Sequence, residues 1–146
     1  MYQIGTQQLG GAADLEDDEL VHAFETLTLA EGRFRHADHV RLAWIHLTRT
    51  SLADALARLS AGLRRVAAAH GAPDRYHETV TWAFVFLIHE RMRRDGSEAT
   101  WAEFAARHPE LLRFEGGALF DHYEPSVLDS DEARRTFLLP RRDGSL

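Results

Sequence analysis

The sequence predicts an all-α, single-domain helical bundle of about four longer helices with short C-terminal helices packed on it. Three observations predict it. Apolar residues recur three and four apart through four successive long stretches, the spacing of one helix face. Helix punctuation stands between them: Gly32, Ser51 with Asp54, Gly71 and Ala72-Pro73-Asp74. The 146 residues hold no internal repeat, low-complexity tract or linker, so one core is expected.

Residues 1–13 are polar and Gly-rich without a sustained period and read as a flexible arm, which leaves 14–139 as the helical domain and 140–146 as a flexible tail. The first helix starts near Asp14. Its acidic run through Glu19 suits the positive helix end, Leu20, Phe24, Leu27 and Leu29 give it an apolar side, and Gly32 ends it. His36 to Thr50 carries Val40, Ala43, Trp44 and Leu47 at helical spacing. Ser51 caps a third helix whose stripe of Leu52, Leu56, Leu59, Leu63 and Val66 runs up to Gly71.

From Tyr76 to Asp95 the apolar residues cover nearly the whole circumference, the mark of a buried helix. A buried strand competes over Thr79 to Ile88, where β-branched and aromatic residues gather, but the length and the polar extension Glu90-Arg91-Met92-Arg93 favour helix. Thr100 and Glu103 have capping-box spacing before Phe104, and His108-Pro109 interrupts that helix ahead of Glu110 to Phe114. Gly116-Gly117 turns the chain into a short piece with Leu119, Phe120 and Tyr123. Asp129 with Glu132 then reads as a cap for Ala133 to Leu138.

Composition removes several kinds of chemistry. No cysteine is present, which excludes disulfides, thiolate metal sites and cysteine nucleophiles. All 17 basic residues are arginine, so lysine nucleophiles and Schiff bases are excluded as well. A net charge of −6 argues against a nucleic-acid surface. No apolar run approaches membrane-spanning length, and the N-terminal stretch lacks the pattern of a secretory signal, so a cytoplasmic protein is expected. Phosphate loops, dinucleotide fingerprints, zincin motifs, nucleophile elbows and Glu-x-x-His repeats are not found.

The residues that remain to carry chemistry are histidines. His36 and His39 lie on one face of a first helical turn, in a band with Ala43 and His46, and His77 stands at the start of the buried fourth helix. If those two helix starts meet, three imidazoles converge. Helix N-termini and burial both disfavour the imidazolium, so the nitrogens would be neutral and able to ligate. Three nitrogens with an open position suit catalytic zinc, and two histidines with Glu78 or Asp38 suit non-haem iron. Equally, the same histidines serve structure if His36 and His39 hydrogen-bond their own helix start and His77 is a satisfied buried residue.

Tyr76-His77-Glu78-Thr79 adds a carboxylate and a phenol beside a candidate ligand, and Glu78 is either a proton handler or a first-turn acid that complements the helix dipole. Arg134 could present a guanidinium to an anionic substrate, whereas Arg135 reads as a solvated residue. The tryptophans and phenylalanines read as core.

The chain resembles a functionally uncharacterised family of small all-helical bacterial proteins that share Phe-x-His-x-x-His, Tyr-His-Glu-Thr-x-Thr and Leu-x-Ser-x-x-Ala-Arg elements. These are Phe34 to His39, Tyr76 to Thr81 and Leu128 to Arg134 here. The family continues with Pro-Asp after the last helix, where this chain has Pro140-Arg141. The resemblance implies that His36, His39, His77, Glu78 and Arg134 belong to one pocket, and it names no reaction.

The function expected first is that of a metal-dependent enzyme. His36, His39 and His77 would hold a divalent ion, zinc or iron, with Glu78 and Tyr76 beside it and Arg134 orienting a small anionic molecule. The alternative is a non-enzymatic module that binds a small molecule or a partner, open to pairing as a homodimer, with structural or pH-responsive histidines. A metal-free acid–base enzyme using His77 and Glu78 comes third. Neither nucleic acid nor membrane is an expected partner.

Overall fold

The computed structural model describes residues 12–29, 34–96 and 99–140, and among them every regular element is helical. In chain order these are α1 (Asp17–Thr26), α2 (His36–Arg49), α3 (Leu52–Ala69), α4 (Glu78–Asp95), α5 (Trp101–Arg107), α6 (Pro125–Leu128) and α7 (Asp131–Arg135). Short 3₁₀ turns stand at Ala12–Asp14, Pro73–Arg75, Pro109–Leu111 and Ala118–Asp121. The expected all-α bundle of four longer helices with short C-terminal ones is the observed fold, and no described helix is long and apolar enough to cross a membrane.

Local chemistry sets most boundaries. Ser51 accepts the Asp54 amide at 3.1 Å and Thr100 accepts that of Glu103 at 3.2 Å, so both expected caps are in place. The Asp38 carboxylate accepts the Arg35 amide at 2.8 Å, which starts α2 directly at His36 and commits Asp38 to a cap rather than to a ligand set. The strand alternative for Thr79 to Ile88 gives way to a continuous α4.

Other boundaries depart from expectation. Asp14 sits in a 3₁₀ turn and α1 begins at Asp17, because Glu19 reaches back to the Glu16 amide at 2.9 Å. The helix stops at Thr26, well before Gly32, where Leu27 takes a left-handed conformation with φ of 59°. Gly32 lies outside the described residues, as do nearly all of the N-terminal arm and the tail beyond Pro140. Ser130, not Asp129, caps α7 by accepting the Ala133 amide at 3.1 Å, and that helix ends at Arg135, short of the expected Leu138. A separate turn of helix, α6, precedes it.

Helices α2, α3 and α4 pack on one another around Leu42, Ile45, Leu59, Val85 and Ile88, and α1 lies across α2 and α3. The crossing of α1 on α3 is close enough that a Cβ added at Gly62 would lie 2.3 Å from the Phe24 ring. Phe104, Leu111 and Leu119 close the core from the C-terminal side.

The remaining face of α4 is covered by the segment after α7. Thr79 donates its hydroxyl to the Thr136 carbonyl at 2.7 Å and accepts the Leu138 amide at 3.1 Å. Phe137 stacks on Trp82 at 5.5 Å, and the Tyr123 hydroxyl donates to the Leu138 carbonyl at 2.7 Å. This strap explains how a helix that is apolar on nearly every side stays out of water, and it fixes α7 beside the start of α4.

Candidate functional site

The starts of α2 and α4, the C-terminal half of α3 and the start of the C-terminal strap enclose a cavity of about 500 Å³. His36, His39 and His77 all line it, so the expected convergence of two helix starts is observed. Leu63, Val66 and Val80 supply aliphatic wall, and Phe34 and Phe114 supply aromatic wall. Arg75 and Arg134 bring the cationic groups.

The three imidazoles occupy different situations. His36 donates from Nε2 to the Leu111 carbonyl at 3.0 Å, because a carbonyl can only accept, and its ring lies 4.6 Å from that of Phe84 and 5.8 Å from that of Phe114. Burial lowers its pKa against the opposing pull of that hydrogen bond. It is therefore neutral at pH 7, with Nδ1 left as a bare lone pair. His39 is tilted against Phe34 at 4.3 Å, and burial first, then the neighbouring His36, push its pKa down to about 4.

His77 is the N-cap of α4: its Nδ1 accepts the Val80 amide at 3.1 Å while Nε2 donates to the Leu128 carbonyl at 2.7 Å. Burial lowers its pKa, and the nearby Arg134 guanidinium acts in the same direction. Both ring nitrogens are thereby used, and neither lone pair is available for a metal in this arrangement. Of the two sequence readings for these residues, the structural one applies to His77, although it had placed the capping role on His36 and His39.

Tyr76 lines the cavity, but Glu78 does not. The Glu78 Oε1 atom accepts the Tyr76 hydroxyl at 2.6 Å and the Arg64 guanidinium at 2.9 Å, and Arg64 lies 4.6 Å above the Tyr76 ring. Burial, with the hydrogen bond to Glu78 second, raises the Tyr76 pKa to about 12, so the phenol stays protonated and serves as a donor. Glu78 thus ties α3 to the turn before α4.

Arg134 reaches the cavity while donating to the Asp74 carbonyl at 3.1 Å, which leaves most of its five N–H groups for other acceptors. Arg135 is exposed and stands 3.9 Å from Asp131, one helical turn away, as its solvated reading requires. His46, placed by spacing in the same band as His36 and His39, is instead buried outside the cavity lining, because it lies about 10 Å further along the helix axis than His39.

Sequence reasoning passed over three residues of the lining. His70 follows the last turn of α3, Arg75 closes the 3₁₀ turn before Tyr76, and Phe114 precedes the glycine turn. Arg75 was accessible as the residue adjoining the Tyr-His-Glu-Thr element; His70 and Phe114 carry no local signal, since only the tertiary fold brings them here.

Among the described residues no group of three His, Asp or Glu side chains is arranged to hold a metal ion. The lining contains two arginines and four histidines and, among the described residues, no carboxylate. No family model matches the chain, and neither the curated proteins nor the solved structures yield a match.

Proposed function

We propose that the chain is a small-molecule-binding helical domain whose cavity takes a small organic anion with an apolar body. One observation carries this reading: a chain with 23 acidic residues and a net charge of −6 keeps every described carboxylate out of a cavity that two guanidinium groups line. A volume of about 500 Å³ falls in the range of metabolite sites. Arginine pairs with a carboxylate through parallel charge-assisted hydrogen bonds. The imidazoles of His36 and His39, neutral through burial, add polar groups that orient the ligand without adding charge.

The experiment is calorimetric titration of the full chain with hexanoate and benzoate, against hexanol, benzyl alcohol and hexylamine. The acids are expected to bind at least tenfold more tightly than the alcohols, and the amine not at all. Equal affinity for acid and alcohol would overturn the reading.

A second reading keeps the divalent metal expected from the sequence, zinc or iron, with His36 and His39 as its protein ligands. The observation that favours it is a pair of neutral, adjacent imidazoles, of which His36 retains an unshared Nδ1. The bound anion would supply further oxygen donors. Elemental analysis separates the readings: about one retained equivalent, lost in His36→Ala and kept in His77→Asn, supports the metal, and loss in both variants equally counts against this pair.

A further inference from the structure

A second, smaller chamber of about 160 Å³ adjoins the main cavity through a shared wall of Phe34, Val66 and His70. Beyond that wall its lining among the described residues is Ala23, Phe24, Leu27, Leu29 and Ala69, all apolar. Neither arginine lines it. Phe34 stands between the two spaces, with its ring 4.3 Å from His39 on the cavity side and 5.4 Å from Phe24 on the other. It precedes α2 and belongs to no helix, so its ring is held by packing against these two neighbours rather than by a hydrogen-bonded backbone.

We propose that the second chamber receives the alkyl tail of a medium-chain monocarboxylate whose head group lies in the main cavity with Arg134. The proposal rests on the main cavity being an anion site and adds the ligand class. Three features lead to it. Among the described residues the arginines line the first space and none lines the second, which is the division of an amphiphile. Three described residues, Phe34, Val66 and His70, line both spaces, so displacement of the Phe34 ring would bring them into communication. The second space alone is too small for an ordinary ligand and, among the described residues, has only the shared His70 as a polar group, whereas as an extension of the first it needs no more.

The test is calorimetry of the full chain with saturated straight-chain carboxylates from hexanoate to tetradecanoate, on wild type and Ala69→Phe. Ala69 is an exposed residue on the last turn of α3 that lines only the second of the two chambers, so phenylalanine there enters the chamber from its solvent side. In the wild type, affinity rises about fourfold for each methylene buried and levels off once the chamber is full, the fourfold step being about 0.8 kcal/mol. In Ala69→Phe it levels off several methylenes earlier, while hexanoate affinity stays within about twofold. Ala69→Met, with a smaller side chain, levels off between the two and provides the comparison if the phenylalanine variant folds poorly.

A length dependence identical in all three proteins places the tail elsewhere and overturns the proposal, with the anion site left standing. Flat affinity from hexanoate to tetradecanoate overturns it too. Failure of every carboxylate to bind removes the anion reading itself, a result distinct from either of these.

Discussion

His77 joins the start of α4 to Leu128, donating from Nε2 to the Leu128 carbonyl at 2.7 Å while its Nδ1 caps its own helix at the Val80 amide. Replacing it with alanine loses both bonds. A lost N-cap costs about 1 kcal/mol, and a carbonyl left without its donor costs about as much again. His77→Ala is therefore expected to be about 2 kcal/mol less stable by urea unfolding at constant slope. His77→Asn, whose side-chain oxygen can accept the Val80 amide, should recover about half. Equal losses in the two variants would show that the cap contributes nothing.

Arg134 has the opposite profile. Its side-chain hydrogen bond to the Asp74 carbonyl is at an exposed site, so Arg134→Gln should move the unfolding midpoint little. Hexanoate affinity is expected to fall tenfold or more, because a charge-assisted hydrogen bond contributes about 1.5–3 kcal/mol. A variant that binds as the wild type does would move the anion's partner away from this guanidinium.

For Glu78 the structure separates position from reach. Its carboxylate is tied to Tyr76 and Arg64, and it is absent from the cavity lining. Glu78→Ala is expected to lower stability by about 1 kcal/mol, a modest figure because Arg64 is largely in water. Hexanoate affinity measured on the same variant should be unchanged. A large loss of affinity with stability intact would return Glu78 to the site.

These contrasts mark what the sequence could and could not reveal. The helices were legible because period, caps and breakers agree at Ser51, Thr100 and Ala72-Pro73-Asp74, where local chemistry alone fixes the outcome. That the starts of α2 and α4 would open on one space was also legible, since helix starts with histidines on core-facing positions have few places to go. The role of His77 was not, because its Leu128 partner is 51 residues away and a carbonyl carries no sequence signature. His70 and Phe114 were hidden for the same reason. The left-handed Leu27 was hidden differently: glycine is the expected residue there, and the chain uses leucine.

Gly62 gives a prediction against propensity. In a helix interior alanine ordinarily stabilises by about 1 kcal/mol over glycine. Here the new methyl would lie 2.3 Å from the Phe24 ring, and that ring is nearly fully buried between α1 and α3. Gly62→Ala is expected to be destabilising by about 1–3 kcal/mol, as overpacking usually is. Phe24→Leu in the same chain should recover part of the loss. A stabilised Gly62→Ala would mean that α1 can lift off α3 at little cost.

The pH dependence of stability follows from His39. Its folded pKa is about 4 against 6.5 when unfolded, so between those values the unfolded chain binds the proton and the folded chain does not. Stability is therefore full above pH 6.5, falls as the pH drops through that window, and levels off below about 4. The gap corresponds to at most about 3 kcal/mol for this residue. His36 and His77, whose pKa values are also lowered chiefly by burial, add to the fall with the same sign. In His39→Phe the ring contact with Phe34 can persist while the titrating group is gone. Urea unfolding of metal-free protein from pH 8 to pH 4 should then show a shallower decline than the wild type, with the two curves diverging below pH 6.5. Parallel curves would mean that His39 takes up its proton in the folded chain as readily as in water, which a ring packed between Phe34 and the core cannot do unless the start of α2 opens.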